Sequence, residues 1–132
     1  MKKSVCDAKP IGAVLAAAAI FVAAGASAEL LDLQWDQSGR FSREFGLAPG
    51  KFVEVCGKLS RGQSIAWKFD ADGPTNFNVH YHQGAQVVFP AKQDAIAKAE
   101  GRLDVALDQD YCWMWTNKSG KTIAMRLSME RW

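Results

Sequence analysis

The stretch Asp110–Ser119, DYCWMWTNKS, places a tyrosine, a cysteine, two tryptophans and a methionine at five consecutive positions. In an extended strand, successive side chains alternate between faces. Tyr111, Trp113, Trp115 and Asn117 would then point one way, and Cys112, Met114 and Thr116 the other. Beyond Lys118-Ser119-Gly120, a second alternating run sets Ile123, Met125, Leu127 and Met129 on a single face. A hairpin joining the two runs would lay aromatics beside aliphatics and methionines. Large aromatics supply most of the buried area in a small core, and methionine fills the gaps among them. Trp113 and Trp115 are therefore expected in the core. The alternative is a carbohydrate-stacking platform built from the same two rings.

The alternation continues upstream. Phe41, Arg43 and Phe45 alternate with Ser42 and Glu44 before a turn at Ala48-Pro49-Gly50. Val53 and Val55 follow, with Cys56 on the opposite face. Ile65, Trp67 and Phe69 share a face, and Phe77, Val79 and Tyr81 form the next such set after a turn at Asp70–Pro74. Val87-Val88-Phe89 ends at Pro90, and Leu103, Val105 and Leu107 alternate again. Short strands separated by Gly, Pro and Asp point to an all-β sandwich or barrel. Its expected aromatic core is Trp67, Phe69, Tyr111, Trp113 and Trp115. The one helical candidate is Lys92–Glu100, a short and mostly polar run with several alanines.

Residues 1–28 carry a different signal. Lys2, Lys3 and Lys9 precede an uncharged, Ala-rich run from Ile11 to Ala24, and Ala26-Ser27-Ala28 offers the small residues a signal peptidase reads. That order is a secretory signal peptide with cleavage expected after Ala28. A retained membrane anchor is the alternative, but the run is short against the roughly 20 apolar residues of a stable span. The mature domain is then residues 29–132, exported to the periplasm or beyond. The precursor has 16 basic and 14 acidic residues; losing Lys2, Lys3, Lys9 and Asp7 leaves 13 of each. With no basic surplus to neutralise phosphates, nucleic acid is not an expected partner. Loss of Cys6 leaves Cys56 and Cys112, and an even pair in an oxidising compartment is expected to form a disulfide. Two free thiols serving as metal ligands or redox groups would be the alternative, though no CxxC spacing supports it.

Several of these residues carry a resemblance. Tyr111-x-Trp113-x-Trp115-x-Asn117, followed by Ser119, Lys121 and an alternating strand, resembles the closing hairpin of GOLD (Golgi-dynamics) domains. Leu59-x-x-Gly62-x-x-Ile65-x-Trp67-x-Phe69 is similar to that family's Leu-x-x-Gly and Trp-x-Phe strand, and Asn76–Val79 to the strand after it. Cys56 and Cys112 fall at places comparable to the two cysteines of the cargo-receptor branch. The likeness covers about residues 50–130. It implies a single small antiparallel β-sandwich of jelly-roll/GOLD-like form that acts as a recognition module, without the trafficking role, and Asp110 stands where the family usually has glycine.

His80-Tyr81-His82 is the sharpest polar feature, and these are the chain's two histidines. Residues i and i+2 of a strand share a face about 7 Å apart, close enough for both imidazoles to reach one copper or zinc ion. Such a site needs a third or fourth ligand, for which Asn78, Gln83, Asp70, Asp72 or Met114 are candidates. A solvated polar face, continued by Asn76 and Asn78, is the competing reading. No Gly-x-Ser-x-Gly elbow, phosphate-binding glycine loop or His-Glu-x-x-His is present. The expectation is thus a non-enzymatic exported module that binds a protein or other macromolecule and needs no cofactor. Periplasmic copper or zinc binding through His80 and His82 is the alternative.

Overall fold

The computed structural model describes residues 29–132, so the expected signal peptide lies outside the described residues. Seven strands follow in order: β1 (Glu29–Asp32), β2 (Arg40–Leu47), β3 (Phe52–Leu59), β4 (Ser64–Gln83), β5 (Gln86–Asp104), β6 (Gln109–Thr116) and β7 (Ile123–Arg131). They form one curled sheet in the order β1-β3-β6-β4-β7-β2, with β5 also on β4. Every pairing is antiparallel except the short β1–β3 ladder.

The curl comes from β4. Its first half, Ile65–Ala71, pairs with β7, and its second half, Asn76–His80, pairs with β6. β4 therefore passes from one layer of the sandwich into the other, and β5 accompanies it along both halves. The sequence suggested a chain reversal at Asp70–Pro74. The structure instead keeps one strand and bends it there, through register shifts between Asp70 and Thr75. Side chains close the backbone groups that the bend releases. The Thr75 hydroxyl donates to the Ile96 carbonyl at 2.9 Å, Asn76 Oδ1 accepts from Ala95 N–H at 3.0 Å, and Asp72 Oδ1 accepts from Ala124 N–H at 2.8 Å.

The helix expected at Lys92–Glu100 is a correction: the segment is strand throughout, inside β5. Alanine's helical preference is worth a few tenths of a kcal/mol per residue. Pairing with β4 satisfies a long row of backbone groups and lays Ala91, Ile96 and Ala99 against the core. Tertiary context wins. Pro90 does not end the strand, because β5 pairs with β4 alone and its other edge needs no donor. Gly101 sits opposite Trp67, and a Cβ there would come within 2.5 Å of the indole, so only glycine lets the ring lie across the neighbouring strand.

A second correction concerns β6 and β7. They are not a hairpin: β6 lies between β3 and β4, and β7 between β4 and β2. The aromatic and aliphatic faces still meet, because the two strands face each other across the core from opposite layers. Trp113 and Trp115 are fully buried, flanked in register by Val55 and Val79 and by Val53 and Phe77. Trp115 gathers Phe45, Phe69 and Phe77, with ring centroids 5.4–5.9 Å away. Trp67, Phe69 and Tyr111 are buried as well. The Tyr111 hydroxyl donates to the Leu107 carbonyl four residues back at 3.0 Å, a tyrosine-corner arrangement. There the alternation of Leu103 and Val105 ends, and Leu107 is exposed.

The crossing from β6 to β7 is held by Asn117, which is fully buried. Its Nδ2 donates to the Leu47 and Lys121 carbonyls at 2.8 and 2.6 Å, and its Oδ1 accepts from Ser119 N–H and Oγ at 2.8 and 2.7 Å.

Candidate functional site

The outer face of the layer formed by β3, β6, β4 and the first half of β5 collects the polar residues singled out from the sequence. Strand parity places Glu54 and Cys56 of β3, Cys112 and Met114 of β6, and Asn78, His80 and His82 of β4 on this face. Cys56 and Cys112 are direct cross-strand partners with Cα atoms 4.1 Å apart, and they form a disulfide. His80 is the register partner of Cys112, so its imidazole stands beside that bridge.

His80 is buried although it points outward. Its Nδ1 lies 2.7 Å from Asn78 Oδ1, and its Nε2 lies 2.9 Å from Glu54 Oε1. His82 stands edge-on, 5.4 Å between ring centroids, and Phe89 of β5 covers the group at 6.0 Å from the His80 ring. Burial holds the His80 imidazole below its ordinary value, outweighing the Glu54 carboxylate, which pulls it up; the neighbouring His82 also lowers it.

Cys112 Sγ, the Glu54 carboxylate and a His80 nitrogen lie within 4.8 Å of one another. The sulfur is committed to the disulfide, so the donors left in that group are Glu54 and His80. The other ligands proposed from sequence are placed differently. Asn78 is hydrogen-bonded to His80. Met114 is half-buried on the next strand, in register with Asn78 and Glu54. Asp70 pairs with Lys98 at 3.4 Å and Asp72 caps Ala124 N–H, both in the other layer, and Gln83 closes the hairpin tip. Glu54 was missed by sequence reading. Its spacing to Cys56 shows a shared face, but nothing local says that β3 lies near β4.

Next to this group the β4–β5 hairpin ends in the two-residue loop Gly84-Ala85. Gly84 has φ +60°, the conformation the first position of a type II′ turn requires. Just past the turn Val87 and Phe89 are 42% and 45% exposed. Phe52 and Met114 are half-buried further along the same face. Lys92 Nζ sits 5.1 Å over the Phe89 ring.

A concavity of about 660 Å³ lies elsewhere, on the outer face of the β2-β7-β4-β5 layer. Arg40, Lys68, Glu100, Arg102 and Glu130 surround small residues such as Ser42 and Ser128. Opposite charges alternate across it, with Arg40 and Glu130 3.8 Å apart. This is a self-neutralised, solvated sheet surface, with no concentration of one charge to attract an anion or cation.

This chain is a small, disulfide-bridged β domain whose polar group and exposed apolar side chains share one end of a long hairpin. No family model matches it, and no curated protein matches it. Solved structures with the same fold include PliG of Aeromonas hydrophila, a periplasmic inhibitor of g-type lysozyme, at 14% identity and TM-score 0.62, covering 80% of this chain and 98% of that one. PliG of Salmonella Typhimurium, also a periplasmic g-type lysozyme inhibitor, gives 7% identity and TM-score 0.59 over 80% and 100% of the two chains. The pre-peptidase C-terminal domain of a Bacillus anthracis collagenase gives 11% and 0.58 over 78% and 96%. At these identities the likeness establishes the fold.

Proposed function

We propose that this domain is an exported, non-enzymatic module that recognises another protein, with a lysozyme as the first partner to test. The observation that carries the reading is whole-domain similarity to structures named as periplasmic lysozyme inhibitors, which extends over nearly all of their length. A disulfide joining Cys56 to Cys112 fits an oxidising compartment. The docking surface is the apolar patch at the β4–β5 tip, where Val87 and Phe89 leave large side chains in solvent. Aromatic side chains such as Phe89 are enriched in protein interfaces relative to the rest of the surface. The carbohydrate reading loses its basis, since Trp113 and Trp115 are fully buried and offer no face to a sugar. Kinship with GOLD domains would give the same class of function, with the Asn117 segment crossing between layers.

The test has two arms. Purified protein is assayed for inhibition of a g-type lysozyme acting on peptidoglycan, and separately for stoichiometric capture of a protein from periplasmic extract or host secretions. A Val87→Ser/Phe89→Ser double variant serves as the comparison, since both residues are exposed and their loss should leave the fold intact. Inhibition or specific capture that the double variant loses supports the reading. Activity in neither arm defeats it. Capture that the variant retains would move the docking surface away from the tip.

A further inference from the structure

We infer that the open edge of β5 from Lys98 to Asp104 is a self-association surface, on which a second copy of this chain pairs antiparallel about a two-fold axis at Gly101. Among the described residues β5 pairs with β4 alone. That pairing is regular from Ser64–Asp104 to Asp70–Lys98, without a register shift. The direction of the unused backbone groups follows from the neighbouring bonds. Ser64, opposite Asp104, exchanges both of its backbone bonds with Trp132, at 3.0 and 3.1 Å, and spends neither on Asp104. Val105, one residue on, exchanges its own with Gln63 and Gly62 on the β4 side. Along an antiparallel ladder the two kinds of residue alternate. Lys98, Glu100, Arg102 and Asp104 therefore turn their N–H and C=O groups to the open side, where they form a template for another strand.

Side-chain charge selects which strand fits. These four residues are exposed and share the outer face, with signs alternating along the strand. On the β4 side Lys98 already faces Asp70 at 3.4 Å, and Glu100 is in register with Lys68. An antiparallel copy centred on Gly101 repeats that pattern on the open side: Lys98 meets Asp104 of the second copy, and Glu100 meets its Arg102. The two-fold axis doubles each pair and closes the interface at a dimer. Opposite charges directly across two strands attract, and like charges repel. Sliding the copy two residues one way sets Glu100 against Glu100 and Lys98 against Arg102. Two residues the other way sets Arg102 against Arg102 and Glu100 against Asp104. Charge thus selects the register as well as the partner. Charged residues on an edge more often prevent pairing, as prolines and bulges do. Pro90 and the register shift beside Ala95, at φ +53°, interrupt the other half of β5, but Lys98–Asp104 carries neither. The surface lies at the far end of β5 from Val87 and Phe89, so it leaves the proposed docking tip open.

The experiment is sedimentation velocity of the exported, oxidised, untagged protein from micromolar to millimolar concentration, at low and high salt. Glu100→Arg and Arg102→Glu are run alone and as an equal mixture, with circular dichroism confirming that each is folded. The expected wild-type result is a monomer–dimer equilibrium that high salt weakens. Each variant alone sets like charges against each other on both sides of the axis, and should dimerise at least tenfold more weakly. One variant is positive at both positions and the other negative at both, so the mixture should recover a dimer containing one chain of each. Amide hydrogen exchange of the wild type gives a reading that needs no variant: the Glu100 and Arg102 amides should be protected at high concentration and not at low. A wild-type protein that stays monomeric throughout overturns the proposal, as do single variants that dimerise as tightly as wild type. A mixture of folded variants that fails to recover association also overturns it, and so do Glu100 and Arg102 amides that exchange equally fast in monomer and dimer. No other protein is present, so the outcome is independent of the lysozyme assay.

Discussion

Asn117 tests how the two layers are joined. All four hydrogen-bonding positions of its amide are used within the protein: two donors to the Leu47 and Lys121 carbonyls and two acceptances from Ser119. Asn117→Ala removes all four. Lys121 is exposed and Ser119 is half-exposed, so water can replace what they lose. The Leu47 carbonyl belongs to a residue only 1% exposed and is left without this donor. At about 1 kcal/mol for each bond that water cannot replace, plus the penalty of an unsatisfied buried carbonyl, the expected loss is about 2–3 kcal/mol. Asn117→Asp keeps the shape but aims a carboxylate oxygen at two carbonyls from a fully buried position. It is expected to lose more, about 4 kcal/mol at neutral pH. Urea denaturation followed by fluorescence measures both, with an unchanged slope confirming that stability alone has moved. An Asn117→Ala variant within 0.5 kcal/mol of wild type, or an Asn117→Asp variant no worse than Asn117→Ala, would refute the reasoning.

Three further outcomes are expected. Trp115→Ala, at the centre of the Phe45, Phe69 and Phe77 cluster, should lose about 3–5 kcal/mol or fail to fold, as other large-to-small core changes do; an unchanged melting temperature would remove Trp115 from the core. Mass spectrometry of non-reduced protein should show one cross-linked peptide pair containing Cys56 and Cys112, and Cys56→Ser/Cys112→Ser should lose about 4 kcal/mol on the chain-entropy account of a 56-residue separation. Alkylation of both thiols in oxidised native protein would contradict it. Because His80 is held below its ordinary value of 6.5, the unfolded chain takes up this proton first as pH falls. The stability that neutral His80 contributes is thus complete above about pH 6.5 and declines below it. In metal-free buffer the urea midpoint should drop more between pH 7.5 and 5.5 in wild type than in His80→Gln, and equal drops would show that His80 is not responsible.

Side-chain alternation was enough to indicate an all-β domain, because a face buried against a core repeats every second residue whatever the strand's neighbours are. It also marked Trp67, Phe69, Tyr111, Trp113 and Trp115, all of them buried, and cysteine parity, on the expectation of export, indicated the disulfide that the structure contains. Connectivity was beyond it. Asp70–Pro74 has the composition of a reversal yet bends a continuous strand, since the same residues satisfy a bulge as readily as a turn. Lys92–Glu100 carries helix-forming alanines but had to pair with the free length of β4, a demand set by residues far away in the chain. The run from Tyr111 to Met129 reads as a hairpin, and only the pairing of β6 with β3 and β4, and of β7 with β4 and β2, shows that it crosses between layers. The meeting of Glu54 with His80 likewise depends on β3 and β4 both flanking β6. Period and composition are local properties written in the sequence itself, whereas neighbours and register follow from how the whole chain closes its backbone hydrogen bonds around one core.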